Sequence, residues 1–217
     1  MNTPLDTLMV LLILTHLALL GSSRLAKCIQ IAALQGILLG ILPLISVDDV
    51  IGFQTFLLAG GGMFVKGILF PRLLKRTLED ADVHREVEPF VGYSVSLLAG
   101  LLLLALSLWL GSRLPLPEAT ASTLVVPVAV FMMLTGLFLI VSRKKALTQV
   151  IGYLVVENGI YAFGVAIMQE APFLVEIGVL LDAFVAVFIM GIILFHINRE
   201  FDHIDTDRLI TLKDWTP

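Results

Sequence analysis

The sequence has one cysteine, Cys28, and four scattered histidines, His16, His84, His196 and His203. A single thiol closes no intrachain disulfide and cannot supply the cysteine cluster of an iron–sulfur or structural zinc site. The histidines have no metal-ligand spacing, so no bound metal or redox cofactor is expected in this chain. Charge is also scarce, at 15% of residues. No basic patch suited to nucleic acid, no HExxH motif and no Ser/His/Asp arrangement emerges. The glycine triplet Gly60–Gly62 lacks the spacing of a phosphate loop. The formal net charge of −4 averages over segments expected in different compartments and says nothing about substrate.

Apolar residues are abundant, at 58% of the chain, and the mean hydropathy is +0.99. A soluble protein of this size would leave too much apolar surface in water, so an all-α, polytopic membrane protein is expected. The first apolar run has Asp6 but no Lys or Arg before it. It therefore reads as a retained helix rather than a cleaved signal. Runs of spanning length fall at 4–20, 28–46, 50–70, 90–111, 123–141, 147–168 and 173–197. Each can cross a hydrocarbon core of roughly 30 Å as a helix, which makes about seven transmembrane helices.

The basic residues supply an independent test of that count. Arg24 and Lys27 follow the first run, Arg72, Lys75, Arg76 and Arg85 the third, Arg143, Lys144 and Lys145 the fifth, and Arg199, Arg208 and Lys213 the seventh. The intervening loops at 46–49, 111–120 and 168–172 contribute only Arg113. This alternation predicts an outside N-terminus and a cytoplasmic C-terminus. The loop 71–89 carries mixed charge and, with Arg72 and Arg76 at i,i+4, is either a short surface helix, a docking surface or a solvated loop.

A faint internal symmetry pairs SSRLAK (22–27) with VSRKKA (141–146), each followed by a helix containing LQGILLG (34–40) or VENGIYAFG (156–164). The expected organisation is an N-terminal three-helix unit at 1–89 that includes the loop, and a linking helix and outer loop at 90–122. A C-terminal three-helix unit at 123–198 and a cytoplasmic tail at 199–217 complete it. Parallel units of this kind occur in transport proteins.

Lys66, Glu157 and Asp182 lie inside spanning runs. A charge near the centre of a bilayer costs several kcal/mol, so such residues usually face protein or water and mark ion paths. Tyr153, Glu157, Tyr161 and Gly164 share one helix face, with Asn158 beside them. Glu176 and His196 flank Asp182; the fourteen residues from Asp182 to His196 advance about 21 Å and return to nearly the same face. Ordinary interfacial placement is the alternative for Glu176 and His196. Lys66 is a candidate cation for the acids, although its long stem also permits snorkelling toward Arg72 and Lys75. Gly60–Gly62 allow close packing or a helix distortion. Gln35 matches Glu157 in the weak repeat but carries no charge, and His16, Gln30 and Gln54 read as helix-packing hydrogen bonders.

SRKKALTQVIGYLVVENGIYAFGV, then EAPFLVEIGVLLDAFVAVFIMGIILFHI and the tail HIDTDRLITLKDW, resemble component E of hydrogenase-4-type complexes. The resemblance covers nearly the whole chain and is strongest from about residue 141 to 214. It implies a cell inner-membrane subunit of a complex I-related group 4 [NiFe]-hydrogenase, as in formate hydrogenlyase-type complexes. The final three helices resemble the K-type subunit of complex I. Glu157 matches the acid of its second helix, and Asp182 is similar in role to the acid of its third, though the interval to the histidine-containing rim is longer here.

The resemblance further implies antiporter-like membrane subunits, a membrane anchor and a cytoplasmic hydrogenase module as partners. The nickel–iron centre and iron–sulfur clusters would reside in those partners. This chain would be non-catalytic, with Glu157 and Asp182 relaying protons and Lys66 tuning the relay. A subunit of a multisubunit cation/proton antiporter, and a structural scaffold whose acids merely pair with partners, are the alternatives.

Overall fold

The structure is a computed structural model that describes residues 3–46, 53–80, 90–114, 122–143 and 145–167. The described residues are all helical, without a strand. The helices are α1 (Thr3–Leu20), α2 (Leu25–Ser46), α3 (Phe53–Phe64), α4 (Phe70–Asp80), α5 (Tyr93–Gly111), α6 (Val125–Ser142) and α7 (Ala146–Ile167), with a π turn at Val65–Leu69 between α3 and α4. Among them, Leu25–Ile45, Tyr93–Gly111, Val125–Ser142 and Leu147–Ala166 are four helices long and apolar enough to cross a membrane, and Pro4–Leu20 is a shorter apolar helix. The run at 173–197, and with it Glu176, Asp182 and His196, lies outside the described residues, as does the tail.

The third apolar run is where local structure departs most from the expected single span. It continues without a break through the π turn into α4, so the helical rod runs from Phe53 to Asp80. The start of the expected loop 71–89 is therefore helical. Arg72, Lys75 and Arg76 are exposed while Phe70 and Leu74 are buried. That i,i+4 apolar pair docks the basic helix onto the bundle.

α1 and α6 run parallel. Near one end the Ser122 hydroxyl donates to the Asp6 carboxylate over 2.6 Å and accepts from the Leu124 N–H. Midway, the His16 and Phe131 rings lie 5.9 Å apart. At the other end the buried Arg143 donates to the Leu20 carbonyl over 3.0 Å. Arg143 thus satisfies a carbonyl that α1 leaves open at its C-terminus, where positive charge is favoured. The same guanidinium reaches Ser96 at 3.4 Å and sits 5.4 Å from the Tyr93 ring centroid, tying α5 to the pair. Burial pulls it down from the usual guanidinium range, with Tyr93 and Cys28 opposing the shift; it remains charged regardless. Arg143→Ala is expected to cost about 1.5–3 kcal/mol, the range for a hydrogen bond to a charged group. Arg143→Lys, which lacks the fork, should recover only part of that. Thermal melts of the detergent-solubilised protein check both.

Two glycines set a close crossing of α6 and α7. A Cβ on Gly136 of α6 would lie 2.6 Å from the Gly152 carbonyl oxygen of α7, and one on Gly152 would lie 2.9 Å from that of Gly136. The backbones touch there, as close membrane helix pairs do when small residues line the contact.

The core is layered. One apolar cluster joins Leu5, Met9 and Leu12 of α1 with Leu39, Leu42, Val128, Met132 and Ala162. A second joins Leu19 and Leu20 with Leu25, Ile29, Leu139, Ile151 and Val155 at the basic end of the bundle. Between them α1, α2, the π turn, α6 and α7 each contribute buried polar residues: His16 on α1, Gln35 on α2, Lys66 on the π turn, Thr135 on α6 and Glu157 with Asn158 on α7.

Candidate functional site: a buried ion pair in the polar layer

The site starts with the π turn. The Phe70 N–H bonds to the Val65 carbonyl, five residues back, and this widened turn carries Lys66 into the bundle. A single wide turn inside an α-helix is uncommon and recurs at functional positions. The turn docks on α2: a Cβ on Gly36 would lie 2.7 Å from the Lys66 carbonyl carbon and Cβ. The absence of a side chain at Gly36 is what lets Lys66 sit this deep. The glycine triplet does not itself form the distortion. Gly60 and Gly61 lie in regular α3 with open space around them, and the wide turn begins just beyond.

The Lys66 Nζ lies 2.9 Å from the Glu157 Oε1, and both side chains are about 95% buried, at 6% and 5% exposure. The ammonium also sits 4.5 Å from the centroid of the Tyr161 ring, one turn along α7, in cation–π geometry. Three of the expected residues, Lys66, Glu157 and Tyr161, are therefore brought together. Asn158 is buried next to them, while Tyr153 is 37% exposed at the surface. A cleft lined by Ala32, Lys66, Phe70, Pro71, Glu157 and Asn158, among others, opens beside the pair.

Such a pair is poised rather than simply stabilising. Removing two charges from water is costly, and the attraction between them roughly offsets that cost only while both are present. Any movement of the ammonium leaves a carboxylate in a low-dielectric layer, where taking up a proton is the least costly response. The layer can thus hold or pass a proton; among the described residues no group of three or more His, Cys, Asp or Glu side chains is placed to hold a metal.

Sequence reasoning assigned Arg143 to topology alone and missed its burial. The signal was weak, because Arg24, at the corresponding place after α1, is exposed. His16 and Gln35, taken as helix glue, prove fully buried in the same layer as the pair.

Comparison with known proteins identifies relatives of the chain. The family described as NADH-ubiquinone/plastoquinone oxidoreductase chain 4L matches residues 123–214, a stretch that includes Glu157. The hydrogenase-4 component E proteins of Escherichia coli K12 and of Shigella flexneri are each 28% identical over 160 residues, covering 74% of this chain and 74% of theirs. The chain is a homologue of the hydrogenase-4 component E proteins. The uncharacterized protein Rv0085 of Mycobacterium tuberculosis is 30% identical over 208 residues, covering 94% of this chain and 93% of that protein. No solved structure matches. Homology to the component E proteins and to chain 4L supports a complex I-related membrane subunit, and the apolar helices agree with that setting.

Proposed function

We propose that this chain is a redox-inactive subunit of an inner-membrane group 4 [NiFe]-hydrogenase complex, in which Lys66, Glu157 and Asp182 carry protons through the membrane arm. The observation that carries this reading is the Lys66–Glu157 pair, 2.9 Å apart in a polar layer between two apolar clusters. Asp182 enters through its place in the K-like segment that the family match spans. Seven spans, an outside N-terminus and a cytoplasmic C-terminus complete the proposal. So does descent of 1–89 and 123–198 from a parallel duplication. In its favour, α1 and α6 are each 18 residues long and α2 and α7 are each 22.

In the proposed cycle the resting state holds Glu157 ionised against Lys66. A conformational pulse from the redox module draws the ammonium toward the Tyr161 ring, and Glu157 accepts a proton. Return of the ammonium expels that proton toward the next acid. Tyr153, Asn158, Glu176 and His196 would support the path at its flanks.

Affinity purification of the tagged chain from membranes tests the setting. A nickel–iron subunit, a membrane anchor and antiporter-like subunits are expected together. Recovery with antiporter-like subunits alone would move the chain to a cation/proton antiporter. Glu157→Gln separates the relay from a scaffold: the relay predicts an assembled complex that turns over hydrogen without moving ions, the scaffold predicts lost assembly.

A further inference from the structure

His16 and Gln35 form a second polar centre in the same layer, where α2 meets α1. Its hydrogen-bond directions follow from valence. The Leu12 carbonyl lies 2.8 Å from the Thr15 hydroxyl and 2.6 Å from the His16 Nδ1. A carbonyl only accepts, so Thr15 donates its one hydroxyl proton there and His16 carries its proton on Nδ1. The Thr15 oxygen is left as an acceptor, which agrees with the Gln35 amide nitrogen facing it at 3.4 Å.

Two acceptors remain, the His16 Nε2 and the Gln35 Oε1. Both are fully buried and neither has a partner among the described residues. Two acceptors cannot bond each other, and buried polar atoms without partners are rare enough to call for a specific explanation. The Thr135 hydroxyl on α6, also buried and unpartnered, lies one turn beyond Phe131, whose ring meets His16. Water supplies two donors and makes up to four bonds, which is what this set of groups requires.

We infer that the His16, Gln35 and Thr135 side chains hold internal water, and that His16 is a second proton station extending the path from Glu157 across the bundle to α1. The inference rests on the relay reading of Glu157. An excess proton carried on the water breaks its bond to the water oxygen and forms one at Nε2, leaving neutral water, while the other ring proton stays on Nδ1, hydrogen-bonded to the Leu12 carbonyl. On the following step the imidazolium releases the Nε2 proton to a water on the side away from Glu157, so the proton moves on and the ring is unchanged over a cycle.

The experiment compares wild type, His16→Gln and Glu157→Gln in vesicles of the assembled complex, reading ion translocation at matched hydrogen turnover. Glutamine keeps polarity and hydrogen bonding but does not titrate. A proton station predicts that translocation falls by roughly tenfold or more in His16→Gln. Full translocation in His16→Gln with loss in Glu157→Gln overturns the His16 station and leaves the relay at Glu157 standing. Full translocation in both overturns the relay and the station with it. A high-resolution map of the wild-type complex supplies a second reading that needs no variant. Water density within hydrogen-bond reach of both His16 Nε2 and Gln35 Oε1 is expected, and its absence overturns the site.

Discussion

Lys66→Met should destabilise the protein by about 3–5 kcal/mol, the loss typical when one partner of a buried ion pair is removed and the other stays charged. Methionine keeps the length of the lysine stem, so the packing on Gly36 and Phe70 survives and the change isolates the charge. Glu157 then keeps its charge at 5% exposure without the ammonium beside it. The double variant Lys66→Met/Glu157→Leu should regain most of the loss, because an apolar pair of similar volume restores a layer with no charge to desolvate. Thermal melts of the purified protein, arranged as a double-mutant cycle, give the coupling directly. If instead Lys66 snorkels to the basic end when lipid is present, the single variant melts like wild type.

The second large effect is expected at the α6–α7 crossing. Gly136→Ala should cost about 1–3 kcal/mol, the usual range for overpacking a close contact. The obstacle is the Gly152 carbonyl, at 2.6 Å from the new Cβ, and a backbone carbonyl in a helix cannot rotate away. Gly136→Leu should abolish docking of the two helices and with it accumulation of the folded chain. Gly60→Ala is the matched control: it lies inside α3 with open space around it. There the substitution should stabilise by about 0.5–1 kcal/mol through helix propensity alone. Quantifying folded chain after mild detergent extraction, with melts where protein accumulates, tests all three. Opposite signs for Gly136→Ala and Gly60→Ala are the expected outcome.

Much of the site was legible from sequence for one physical reason. Charge inside an apolar run is so costly that Lys66 and Glu157 stand out without any structure. That they meet was not legible, because it depends on how α2, α7 and the π turn rotate against one another. The glycine triplet left close packing or a helix distortion open and is not where the distortion falls; periodicity cannot say where the extra residue of a wide turn is absorbed. The helix at Phe70–Asp80 was one of several open readings, and the burial of Phe70 and Leu74 decides for it. Arg143 misled because a basic residue between two spans carries the same signal whether it faces water or caps a neighbouring helix. His16 gave no signal of its own and Gln35 only its match to Glu157 in the weak repeat, since single polar residues in apolar helices are ordinary packing hydrogen bonders until their partners are known.

The most direct test of the relay is ion translocation per hydrogen turned over in vesicles of the assembled complex bearing Glu157→Gln, Lys66→Met, or both. If the pair acts as one unit, each single variant and the double variant lose translocation to the same extent while hydrogen turnover continues. Undiminished translocation in assembled Glu157→Gln would contradict the relay and leave the ion pair a packing element.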